Sequence, residues 1–157
     1  MTSTITAALA AKTGLYELVK RVMAAGTDTQ NVYVVPGAIG TDLPDDIISL
    51  GKFRVTQEMA GMGLMRPREE TITLEVVFSC LKGGGDEVEL LSQQRALDLL
   101  GMVEREVRMN DPVLGGAVRQ CFLTDIESDG VTPEDYKKAG RGVDVIATFT
   151  AQNRVRG

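Results

Sequence analysis

Gly83, Gly84 and Gly85 stand between a strand-like alternating run and a charged amphipathic run that begins at Asp86. Strand, glycine turn and helix outline a phosphate-binding loop, in which backbone N–H groups at the positive end of a helix cradle an anion. The flanking charges exclude that chemistry. Asp86, Glu87 and Glu89 already occupy the positive end of the helix dipole, and no Lys-Ser or Lys-Thr pair follows the glycines to supply a counter-charge. The triplet therefore reads as a turn and a helix start. Gly61 and Gly63 imitate half of a dinucleotide fingerprint, but position 66 is Arg66, and Pro67 argues against a helix opening there.

The chain contains no histidine. That removes histidine-based triads, most zinc sites and the common proton shuttle near neutral pH. A serine-lysine or carboxylate-only mechanism is left, and no Gly-x-Ser-x-Gly elbow nominates a nucleophile. Acidic pairs occur at Asp45 with Asp46, Glu69 with Glu70, Asp86 with Glu87, and Glu134 with Asp135. All fall at expected loops or helix starts, where solvated carboxylates are ordinary, so neither a glycosidase pair nor a magnesium site is assigned. Catalytic, cofactor and metal residues are all expected to be absent.

With 157 residues and 43% hydrophobic content, the chain suits a single domain able to bury a core without metal or disulfide staples. A net charge of -5 argues against a surface that grips nucleic acid through its phosphates. Cys80 and Cys121 each lie in a strand-like run and read as buried, reduced thiols. The apolar run from Ile5 to Ala11 is too short and too alanine-rich for a secretory core or a membrane span, so no membrane is expected.

These residues need elements to position them. Thr2, Ser3 or Thr4 is expected to cap a first helix, with Ile5, Ala8, Leu9, Leu15, Tyr16, Val19, Val22 and Met23 on its apolar stripe and Gly26 as its stop. Gly14 lies inside that helix, at a cost of about 1 kcal/mol relative to alanine. Strands are expected over 31–35, 48–59, 71–80, 117–127 and 143–153. A long helix is expected over 86–109, with Val88, Leu91, Ala96, Leu99, Leu100, Val103 and Val107 inward and Leu90 and Leu97 off the stripe. Strands joined by short connections should pair antiparallel, and the two flanking the long helix should run parallel. The class is α+β: one domain, with a small, mostly antiparallel sheet packed against an N-terminal helix and a long central helix. Residues 60–68 read as a hairpin tip, and 128–141 as a long exposed loop with a helical turn over 133–138.

Glu70-Thr71-Ile72-Thr73-Leu74 opening the long strand, the helix from Asp86 to Val107, the turn Asn110 to Gly116 and Arg154 near the end follow one another in a characteristic order. In that order and spacing the chain resembles the tail terminators of tailed bacteriophages, the lambda-type tail-completion family. The resemblance spans nearly the whole chain, although the Met-Gly stretch from Ala60 to Met65 fits it poorly. It implies a virion protein assembled in the host cytoplasm: a homohexameric ring that caps the tail tube, ends its polymerisation and presents the head-tail joining surface. The implied partners are further copies of the chain, the tail tube protein and the connector or stopper protein, with phage DNA passing through the lumen without specific binding. Candidate interface residues are Met62, Leu64, Met65, Arg66 and Arg68 at the hairpin tip, and Leu97, Glu104, Arg105 and Arg108 on the long helix. Another head-tail completion protein is the nearest alternative, and a small ligand-binding α+β domain is the alternative of a different class.

Overall fold

The structure, a computed structural model, describes residues 5–37, 45–63, 66–133 and 140–156. Its order is α1 (Ala8–Ala25), β1 (Tyr33–Val35), β2 (Asp46–Met59), β3 (Arg68–Lys82), a 3-10 turn (Asp86–Val88), α2 (Glu89–Met109), β4 (Gln120–Ser128) and β5 (Arg141–Val155). The strands form one five-stranded sheet ordered β1-β2-β3-β5-β4. The expected α+β class therefore holds, with a mostly antiparallel sheet, an N-terminal helix and a long central helix.

Both helices lie on one face of the sheet. Ile72, Leu74, Val76, Phe78 and Cys80 of β3 are buried beneath them, as the alternation predicts, beside Val143, Val145, Ala147, Phe149 and Ala151 of β5. β3 and β4, which flank α2, do run parallel, but β5 is inserted between them and pairs antiparallel with each. One pairing departs from expectation: β1 and β2 are parallel, Tyr33 opposite Ile47 and Val35 opposite Ser49. The short-connection rule fails because ten residues separate Val35 from Asp46. Ten residues can span about 33 Å, enough to carry the chain back along a three-residue strand.

The start of α1 also differs from the expectation. Ile5 lies before the helix and is exposed, and Thr2, Ser3 and Thr4 lie outside the described residues. The helix begins at Ala8, and its cap comes from elsewhere in the chain. Glu70, on the helix-side face of β3, accepts hydrogen bonds from Ala7 N–H (2.8 Å), Thr6 Oγ1 (2.7 Å), Gln57 Nε2 (3.0 Å) and Asn153 Nδ2 (3.1 Å). Thr6 Oγ1 in turn accepts from Ala8 N–H at 3.1 Å. A carboxylate that is 2% exposed thus takes the N–H of the N-cap residue, steadies the Thr6 hydroxyl that takes the next, and ties the helix start to three strands. Leu9 lies on the exposed side of α1, and Leu18, left out of the expected stripe, is buried. At the other end Gly26 is the C-cap, and Thr29 Oγ1 donates to Met23 O at 2.6 Å.

Gly14 has a structural reason for being glycine. A Cβ there would meet the carbonyl oxygen of Leu114 at 2.5 Å. Leu114 is buried at the centre of the Asn-Asp-Pro-Val-Leu-Gly-Gly turn, with a left-handed φ of 51°. Asp111 holds that turn, its carboxylate accepting from Gly115 N–H at 2.9 Å and its carbonyl from Leu114 N–H at 3.3 Å. Gly115 and Gly116 continue at positive φ, which glycine tolerates without strain.

Two predictions follow from this packing. Gly14→Ala should destabilise the fold by about 1–3 kcal/mol in urea denaturation, because the clash outweighs the gain in helix propensity. Glu70→Gln should cost about 1–3 kcal/mol at pH 7. Burial pushes the Glu70 pKa up, but the hydrogen bonds, led by that from Ala7, hold it below the ordinary value. A depressed folded-state pKa gives stability that is full above the unfolded value and lost as pH falls through the folded one. The gap between wild type and Glu70→Gln should therefore narrow below about pH 4.3, as denaturation at pH 7, 4 and 3 would measure.

Candidate functional site

The β2–β3 hairpin closes with Ala60 N–H donating to Pro67 O at 2.8 Å, beyond the last cross-strand pair Met59–Arg68. Its tip projects past the sheet. Met62 is fully exposed, and Arg66 is exposed with φ 43°, its N–H donating to Gly63 O at 3.1 Å. Leu64 and Met65 lie outside the described residues. Arg68, the remaining residue expected there, is half-buried as the first residue of β3. The tip thus gathers Met62 and Arg66 at one end of the molecule.

The second expected patch lies on α2. Leu90 and Leu97 are exposed, off the inward stripe as expected, whereas Leu91 is exposed rather than buried and Ser92 is buried in its place. The correction has a chemical cause: Ser92 Oγ donates to Arg141 O at 2.6 Å, so that face of the first turn meets polar backbone at the start of β5. The alternating charges further along close largely on the protein itself. Arg108 Nε pairs with Glu104 at 2.9 Å, and Glu106 accepts from Asn110 Nδ2 at 2.8 Å and lies 4.0 Å from Arg21 of α1. Arg105 is exposed. Such helical pairs contribute about 0.3–0.5 kcal/mol each, and Leu97 and Arg105 stand exposed beside the Arg108–Glu104 pair.

The start of α2 is built from acids in the roles their positions imply. Glu89 Oε1 accepts from the N–H (2.7 Å) and hydroxyl (2.8 Å) of Thr132, and the hydroxyl bond leads in holding the Glu89 pKa below its ordinary value. Asp86 takes Arg141 Nη2 at 2.9 Å. These pairs anchor the loop after β4 and the start of β5 to the helix. Of that loop, residues 134–139 lie outside the description, including most of the expected turn at 133–138. Arg95 spans Asp46 and Asp28 at 3.1 Å each, pinning α2 to the start of β2 and to the segment after α1.

On the opposite face of the sheet, Glu69 bridges Arg154 (2.6 Å) and Arg119 (2.5 Å). The hydrogen bond from Arg154 leads in lowering its pKa. Arg154 is thus one member of an ion triplet that clasps β3 to β5 and to the approach of β4. Cys80 and Cys121 are free and buried, and burial pushes both thiols up, Cys121 to about 12, which leaves them protonated and inert. Among the described residues no cluster of three His, Cys, Asp or Glu could hold a metal ion, and no helix is long and apolar enough to cross a membrane.

Two features escaped the reading of the sequence. Ser49 with Lys52, and Ser79 with Lys82, have the spacing of a serine-lysine nucleophile pair, but that spacing juxtaposes side chains on a helix and these lie on strands. Ser79 Oγ instead donates to Asp144 Oδ1 at 2.7 Å. The second feature is a pair of apolar residues at open stretches of the sheet's edges, Phe53 in the part of β2 that β1 does not cover and Ile126 of β4, 45% and 50% exposed. Alternation alone predicts both to point inward, and it cannot say that each strand ends up at an edge.

Comparison of the chain with protein-family models and with curated proteins found no match. Because the hairpin closes below its tip, deleting Gly61 to Met65 should leave the monomer folded, with a thermal midpoint within about 4 °C of wild type. Unfolding of the deletion variant, read by far-UV circular dichroism, would place the tip in the core instead.

Proposed function

We propose that the protein is a structural virion component, a tail terminator that acts by assembly and not by catalysis. Six copies form a ring that caps the tail tube, stops its polymerisation and offers the joining surface to the connector or stopper protein, while DNA passes through the lumen without specific contacts. The observation that carries this reading is the turn from Asn110 to Gly116. It stands after the long helix where the resemblance to tail terminators requires it, and through Leu114 it seats α1 against the rest of the domain. Two further features support it. Among the described residues, acids that could have served catalysis or phosphate binding make structural bonds instead, Glu89 with Thr132, Asp86 with Arg141 and Glu69 with Arg154. The tip at Met62 and Arg66 and the α2 face at Leu97, Glu104, Arg105 and Arg108 are unlike one another, as a heterologous ring stacked between two different partners requires.

Native mass measurement with and without tail tube protein tests the reading directly. A ring, or a ring that forms only on the tube, is the expected result. A monomer under both conditions, or one that binds a small molecule saturably, would assign the domain elsewhere. The α2 face has its own test. Reversing Arg105 and Arg108 to Glu should change folding stability by only about 0.5 kcal/mol, yet weaken the ring about tenfold in sedimentation.

A further inference from the structure

β1 covers β2 only along Ile47, Ile48 and Ser49. Lys12 Nζ reaches the Gly51 carbonyl at 3.0 Å, and beyond it, from Lys52 to Met59, no described strand pairs with the outer edge of β2. At the other end of the sheet β4 pairs with β5 alone, leaving its outer edge open from Gln120 to Ser128. Among the described residues the sheet therefore carries two long open edges of similar length, and open edges are templates for another strand.

The edges are complementary. On the face away from the helices, β2 carries Lys52 and Arg54, the latter beside Thr73, whereas β4 carries Asp125 and Glu127 beside Thr148 and Ile146. On the helix-side face, Phe53 stands beside Leu74 and Ile126 beside Ala147. Leu74 and Ala147 are buried, so Phe53 and Ile126 are the half-open ends of the apolar layer.

We propose that the β2 edge of one copy pairs antiparallel with the β4 edge of the next, Phe53 opposite Ile126. Within the sheet β2 and β5 run one way and β3 and β4 the other, so a neighbour related by rotation brings its β2 antiparallel to this β4. Antiparallel strands count in opposite directions. The register that brings Phe53 to Ile126 therefore also sets Lys52 opposite Glu127 and Arg54 opposite Asp125, with each pair on a common face. One choice of register satisfies one apolar pair and two ion pairs.

Charged residues on an edge usually prevent pairing. Here their signs decide which pairing is prevented. Two β2 edges would oppose Lys52 and Arg54 to one another, and two β4 edges would oppose Asp125 and Glu127, so only the unlike pair remains. A contact between unlike edges repeats head to tail, which is the geometry of a ring. The occupant is a second copy of this chain; closure at six copies, though not the pairing itself, rests on the tail-terminator reading.

Sedimentation and native mass measurement of the full chain test this with three variants: Lys52→Glu with Arg54→Glu, Asp125→Lys with Glu127→Lys, and all four together. Each double reversal should raise the concentration needed for assembly by about tenfold or more, and the fourfold variant should return to within about threefold of wild type. Circular dichroism confirms that each variant is folded. As a second readout, mixing Phe53→Cys with Ile126→Cys chains and oxidising mildly should give a crosslinked dimer, the native thiols being buried. Assembly that is indifferent to both reversals, a fourfold variant that fails to recover, or the absence of crosslinks would overturn the proposal, as would a wild-type chain that stays monomeric. Rings that cap tubes yet ignore the reversals would sink the edge pairing and spare the terminator reading. Assemblies that depend on the edges but never arrest tube growth would do the reverse.

Discussion

The carboxylate of Glu70 is the constraint on which the arrangement of layers depends. A carboxylate out of water is tolerated only when its oxygens are filled with donors, and here the donors come from the segment before α1, from β2 and from β5. α1 has no cap of its own from Ala7, and its first turn holds no acidic residue. Its N-cap N–H and its attraction for negative charge are instead met by a residue more than sixty positions away, while Thr6 Oγ1 takes the N–H of Ala8. The helix and the sheet therefore stabilise each other: without β3 the helix start lacks its acceptor, and without the helix the carboxylate lacks its donors. The apolar layer beneath then fixes only how closely the two approach, which at Gly14 and Leu114 is as close as a missing Cβ permits.

Periodicity made the layers legible and left their junctions obscure. Alternation from Ile72 to Cys80 and from Val143 to Ala151 marked both central strands and their buried faces, because a period of two survives whatever the strand pairs with. The glycine turn and the acidic start of α2 were equally local, and both stand where expected. The cap of α1 was not legible. Its partner is remote in sequence, and Glu69-Glu70 reads as two solvated acids although one faces the core and the other the opposite surface. Parallel pairing of β1 with β2 was hidden for a similar reason, since it depends on the path of a loop and not on the residues of either strand. Gly14 was recognised as costly within a helix, but the carbonyl that requires it belongs to a turn a hundred residues later.

The candidate surfaces follow the same division. Exposed apolar residues on α2 could be named from helical spacing, and Leu90 and Leu97 stand where that spacing puts them. Leu91 does not, because the face it was assigned to is given over to Ser92 and its bond to the start of β5. The sheet edges could not be named at all. Which strand stretches lack a neighbour is a property of topology, and Phe53 and Ile126 look like ordinary core residues until β1 is found to cover only the start of β2 and β4 to end the order.

The buried carboxylate also bears on how those edges would meet a neighbour. Gln57 lies in the open stretch of β2, and its side-chain amide donates both to Glu70 Oε2 and to the carbonyl of Ile5. The far half of β2 is thereby held to the start of α1 on one side, while its ladder with β3 runs unbroken from Phe53 to Met59. An edge fixed in this way has already lost the backbone freedom that a loose strand would give up on pairing, about 1–2 kcal/mol per residue. The polar cluster that caps one helix therefore also pre-forms the strand that a second copy would extend, and the cost of ordering that edge is met within the monomer.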